Sequence, residues 1–208
     1  MGKIKQGILG GFNGTTGSVV GASWKGIAYM RGKAQSISNP RTEAQQNNRT
    51  KFGEISDVCS KLRAVINEGF RYKAVKQSAF NAAVKSNMDA EGDFSITKLK
   101  LSEGGVVPFI SGSLSVTGTS ATLTANLSFP APKAIEARFV LVAKDSETNA
   151  LLPIIDDIVV AASSSTATTT IQMSAAVAEM ELYAYAYMKD EDVPDVSNSL
   201  FLGFQIPD

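Results

Sequence analysis

The sequence contains no histidine, one cysteine and one tryptophan in 208 residues. Without histidine there is no Ser-His-Asp or Cys-His triad, no imidazole base and no histidine-ligated metal. Cys59 alone cannot make an internal disulfide or a Cys-clustered zinc or iron–sulfur centre. No run of about 18 apolar residues occurs, so no transmembrane helix is expected. Glycines at 7, 10, 11 and 14 break the stretch where a signal peptide would need its apolar region, and Gln6 stands where myristoylation needs Ser or Thr. The chemistry left open is narrow: carboxylate pairs, lysines, or hydroxyls with a lysine base. The expectation is a non-enzymatic protein with no cofactor and no membrane association. It would be made in a cytoplasm and kept there, or built into a particle assembled there.

What the chain does contain places it among folded proteins. Apolar residues make up 44% and charged residues 19%, enough apolar surface to offset chain entropy in one or two domains. The net charge of zero hides an imbalance. Residues 1–100 hold 16 of the 20 basic and 7 of the 20 acidic side chains, a net +9, and residues 101–208 carry −9. Such a split favours a polyanion partner for the basic half, or contact between opposite halves within one molecule or head-to-tail between copies. Two solvated faces that never meet are the bland alternative.

The patterning predicts an α+β chain in three segments. Residues 1–38 form a Gly-rich, basic β-ribbon arm without acidic residues, with strands near 7–12, 17–23 and 26–33. Its turns fall at Asn13–Thr16, where Asn13-Gly14 is a hairpin signal, and at Trp24–Gly26. The 3-4-3-4 spacing of glycines 7, 10, 14, 17 and 21 also fits a glycine zipper, although each glycine inside a helix costs about 0.8–1 kcal/mol. Residues 39–93 are helical. Asn39 is the N-cap and Pro40 the first helical position. Phe52, Ile55, Val58, Cys59, Leu62, Val65 and Ile66 recur on one helix face. Gly69 is a stop, and a second helix spans 76–89. Residues 94–208 alternate with period 2 in about seven strands, which reads as an antiparallel β-sandwich of the immunoglobulin-like kind.

Several groups are candidates for interaction. Arg31, Lys33, Arg41, Arg49 and Lys51, with Trp24 and Tyr29 nearby, could hold nucleic acid without sequence preference or contact an acidic neighbouring subunit. Arg41, Gln45 and Arg49 are spaced by four, so one helix face would offer them to carboxylates or phosphates. Tyr183, Tyr185 and Tyr187 share one face of a strand; they either stack a ligand or partner, or wall a second hydrophobic layer. Asp190, Glu191, Asp192 and Asp195 form a solvated loop or a loose Ca²⁺ cluster without the EF-hand spacing. Asp156 and Asp157 are adjacent in a strand, so they point to opposite faces and cannot act together as a glycosidase pair. Cys59 sits in the apolar stripe, as a structural thiol does.

Three stretches occur together in this chain. The first runs Met1-Gly-Lys-Ile, Gly7-Ile-Leu-Gly10-Gly, Gly17-Ser-Val-Val-Gly21 and Trp24-Lys25-Gly26. The second runs Arg31-Gly32-Lys33, Asn39-Pro40-Arg41-Thr42, Gln45, Arg49 and Phe52. The third is Val196-Ser197-Asn198-Ser199-Leu200-Phe201-Leu202-Gly203. In order and spacing they resemble a domain-of-unknown-function family of bacterial and prophage-type proteins of about 200 residues, over nearly the whole chain. The part of the second stretch from Asn39 to Phe52 is also similar, more loosely, to segments of phage structural proteins. The resemblance implies an architecture and a phage-like context, and it brings no catalytic residues. Together these readings lead to the expectation of a self-assembling structural protein of a phage or phage-like particle. The alternative is a β-sandwich module that binds a glycan or Ca²⁺ through the tyrosine face or the loop carboxylates.

Overall fold

A computed structural model of the chain describes residues 2, 3, 11–36, 41–89, 94–190, 192 and 194–206. They belong to two compact units, Met1–Glu43 and Ala44–Asp208. Among them are three antiparallel sheets and four α-helices, an α+β fold whose second unit contains sandwich-like sheets.

The first unit is a ribbon of β1 (Gly2–Lys3), β2 (Gly14–Thr16), β3 (Val19–Trp24) and β4 (Ile27–Gly32), in the order β1-β4-β3-β2. Two-residue loops join its longer strands. Gly17, with φ +57°, opens the loop between the paired Thr16 and Val19, and Lys25-Gly26, with φ +48° and +78°, closes the hairpin between the paired Trp24 and Ile27. Positive φ at both central residues gives the turn that matches strand twist. The Trp24–Gly26 turn is where the sequence puts it, but Asn13-Gly14 is not a turn: Gly14, at φ +118°, begins β2. The expected strand at 7–12 falls mostly on residues outside those described, and Gly11 and Phe12 are in no strand. Gly14, Gly17 and Gly21 lie in ribbon, not helix.

In the second unit α1 (Glu43–Lys61), α2 (Arg63–Gly69) and α3 (Ala79–Met88) precede the sheets. The expected N-cap Asn39 lies outside the described residues. Ser78 caps α3 by accepting from the Asn81 N–H at 3.1 Å. One sheet contains β7 (Ile135–Lys144), β8 (Leu151–Val160), β10 (Glu181–Asp190), β11 (Asp195–Val196) and β12 (Leu200–Gln205), with β10 at its centre beside β7, β11 and β12. The other is β5 (Ser111–Thr117), β6 (Ser120–Asn126) and β9 (Thr166–Gln172), in that order. The short α4 (Ala175–Ala178) links β9 to β10.

Two cores divide this unit into three layers. Leu123 and Ala125 of β6 and Ile171 of β9 pack against Phe139 and Leu141 of β7 and Ala184 and Ala186 of β10. The opposite faces of β7 and β10, carrying Val140, Val142, Tyr185 and Tyr187, pack against Ile55, Cys59, Leu62, Ile66 and Ala83 of the helical layer. The helical segment and the sandwich, separate segments in the sequence reading, thus share one core, and β7 and β10 are buried on both sides. Phe52 departs from its expected place on the buried stripe. It is 53% exposed, and the burial of α1 begins only at Ile55.

Candidate functional site

The ribbon exposes three large apolar side chains, Trp24, Ile27 and Met30. Trp24 and Ile27 face each other across the Lys25-Gly26 turn, so both side chains stand on one face, 58% and 51% exposed. Gly21 is the one buried residue among those described in the ribbon, and a Cβ there would meet the Phe12 ring. Arg31 and Lys33 are exposed in the same unit, and Tyr29 is half-buried.

The remaining basic candidates belong to the second helical stretch of sequence. Gln45 and Arg49 are exposed on α1, one turn apart, and Lys51 is half-buried. Arg41 precedes α1 with φ +50°, so it does not share the helix face that its spacing suggests. The left-handed backbone at Arg41 keeps it out of the regular helix, which starts at Glu43.

The tyrosine ladder divides. Tyr185 and Tyr187 are fully buried in the helix-facing core and therefore cannot stack a ligand from solvent. The Tyr185 hydroxyl donates to the Ile96 carbonyl, and its ring lies 5.4 Å from Phe201. Burial pushes the Tyr187 phenol up to about 12. Tyr183 is half-buried, stacks on Phe204 at 6.2 Å and donates to Glu181 at 3.0 Å. Burial and that carboxylate raise its phenol to about 12.

Asp156 and Asp157 do point apart. Asp156 accepts from Thr169 of the facing sheet. Asp157 takes both Nε and Nη2 of Arg138, at 2.6 and 2.5 Å. Arg138 of β7 is covered by α2 through Glu68, and the Asp157 hydrogen bonds hold its guanidinium well above the ordinary range. Lys189 completes the network with Glu68 and Glu136 at 3.4 and 3.2 Å. These charges join helix to sheet. Cys59 lies in the core, and burial lifts its thiol to about 11, so at neutral pH it is no nucleophile.

A pocket of about 350 Å³ opens at one end of the sandwich. Its wall includes Val107 and Phe129, 55% and 76% exposed. Two of the loop carboxylates, Asp190 and Asp195, stand at its rim, and Glu191 lies outside the described residues. Lys133 binds Asp190 at 2.7 Å and Asp192 at 2.9 Å, which raises the Lys133 ammonium. Asp195 accepts from the N–H of Gly105 at 2.9 Å and of Val196 at 2.8 Å. The ammonium therefore stands between two of the carboxylates that a Ca²⁺ ion would need, and among the described residues no group of three carboxylates or thiols is placed to hold a metal. Sequence reading missed Val107, Phe129 and Lys133. A clue was Phe129-Pro130-Ala131-Pro132, an aromatic in a proline loop where no regular element buries it.

The model of a family of unknown function, DUF6266, matches residues 11–203. The chain belongs to that family. No curated protein and no solved structure matches it.

Proposed function

We propose that the chain is a non-enzymatic structural protein that self-assembles as a component of a phage or phage-like particle, made in a cytoplasm and incorporated there. One observation carries the reading: the ribbon is a basic sheet that buries no apolar side chain among its described residues while exposing Trp24, Ile27 and Met30. A small ribbon without a core is marginal in water, and strand surfaces of this kind are stabilised by a second surface laid on them. Charge supports a copy of the same chain as that surface. Residues 1–43 carry +5 and residues 44–208 carry −5, so unlike units of different copies attract. Nucleic acid is the other partner suited to Arg31 and Lys33, through phosphate neutralisation.

In this reading the sandwich is immunoglobulin-like. Its support is the strand order, in which β5, β6 and β9 make one sheet and β7, β10 and β12 the other, with β8 added beside β7, as in the Greek-key arrangement of that class. The test of the function is electron microscopy of the purified chain at high concentration and low salt. Regular rings, tubes or shells are the expected result, and a field of single particles overturns the proposal.

A further inference from the structure

The ribbon's hairpin tip and the pocket at the sandwich end are complementary in polarity, charge and form. The tip is narrow and convex: a two-residue turn with Trp24 and Ile27 on one face and Lys25 at its apex. Both apolar side chains are more than half exposed, and no acidic residue occurs between Met1 and Thr42. The pocket is concave, with Val107 and Phe129 in its wall. Among the described residues, three carboxylates, Asp190, Asp192 and Asp195, stand at or beside its rim against Lys133, an excess of two negative charges. An exposed aromatic pair and a charge of opposite sign are the ingredients of an interface hot spot with a polar rim.

We propose that the Trp24-Lys25-Gly26-Ile27 tip of one copy docks in this pocket of a second copy. The indole and Ile27 cover Phe129 and Val107, and the Lys25 ammonium turns to the aspartate rim. The contact rests on the self-assembly reading and specifies how it is made. Tip and pocket are unlike surfaces, and each copy carries one of each, so the contact is heterologous. It repeats from copy to copy, closing into a ring or continuing as a filament.

Trp24 is the sole tryptophan, so its emission reads the docking in the full chain. On dilution, emission should move to longer wavelength as the indole returns to water, in step with the fall in mass seen by light scattering. Phe129→Ser, at a largely exposed position, should abolish the shift and weaken association about tenfold or more, with unchanged circular dichroism. Trp24→Ser should weaken association equally. Lys25→Glu should weaken it, and a mixture with Asp192→Lys, whose side chain is 81% exposed, should recover it. Association that persists with emission insensitive to concentration and to Phe129→Ser overturns this contact and leaves self-assembly standing. Association sensitive to Phe129→Ser but not to Trp24→Ser assigns the pocket another occupant and overturns it as well. A monomer at every concentration overturns both.

Discussion

Asn87 is 2% exposed on α3, and all of its side-chain polar groups are used. Its amide donates to the carbonyls of Ala83 at 3.0 Å and Lys100 at 3.1 Å, and its oxygen accepts from the Lys100 N–H at 2.8 Å. Asn87→Ala would leave the Lys100 backbone unpaired in a nearly closed site, so a loss of about 2–3 kcal/mol in urea unfolding is expected; a loss under about 0.5 kcal/mol would mean that water replaces the amide. The buried phenols set an alkaline limit. An unfolded tyrosine ionises near 10, whereas Tyr187 keeps its proton to about 12 and Tyr185 is raised as well, both by burial. Between those values the unfolded state releases protons that the folded state retains. Stability is therefore full below pH 10 and falls as pH rises above it, by up to about 1.4 kcal/mol per pH unit for each phenol. Urea midpoints measured from pH 8 to 11.5 should decline from pH 10 onward, and Tyr187→Phe should flatten the decline. The buried alternative for Tyr185 and Tyr187 was open to period-2 reasoning because their neighbours Ala184 and Ala186 are also apolar, which marks a strand covered on both faces. Asn87 was not, since a polar residue on an amphipathic helix reads as solvent-facing until its backbone partner, 13 residues on, is known.

Gly69 and Gly53 show how differently two helical glycines can be used. A Cβ on Gly69, at the end of α2, would lie 2.1 Å from the Leu101 carbonyl oxygen and 2.9 Å from the Ser102 Cβ, whereas one on Gly53, within α1, would meet nothing. Gly69→Ala is expected to destabilise by about 2 kcal/mol or more through overpacking, and Gly53→Ala to stabilise by about 0.5–1 kcal/mol through helix propensity. Thermal or urea midpoints moving in the same direction for both would contradict this account of the helical layer. Strands and helices were largely legible, because alternation and the 3.6-residue stripe are direct imprints of one covered face. The break at Leu62 was not, since the apolar stripe runs in phase from Val58 and Cys59 of α1 to Val65 and Ile66 of α2. The ribbon's first turn was misplaced because Asn13-Gly14 and Gly17-Ser18 offer similar local chemistry; strand pairing with β3 selects the second.

For the whole molecule, the layering changes what the charge split means. The +9 of residues 1–100 includes +4 from residues 44–100, and the helices there already share a core with the acidic sandwich. Lys73 of that stretch pairs with Glu103 at 2.8 Å. The imbalance left for contacts between copies is the +5 of the ribbon unit against the −5 of the larger one. Trp24, Arg31 and Lys33 could be named as interaction candidates from the sequence, because basic and aromatic residues cluster there in a Gly-punctuated stretch without acidic ones. The pocket could not, since Val107, Phe129, Lys133, Asp190 and Asp195, far apart in sequence, meet only in the folded chain. The measurement that bears most directly on the account is light scattering after size exclusion, with nuclease-treated protein, from low salt to 1 M. Opposed charges between copies predict a mass well above 22.0 kDa at low salt that falls as the screening length shrinks from about 10 Å at 0.1 M to about 3 Å at 1 M. A 22.0 kDa species at every salt and concentration would contradict self-assembly.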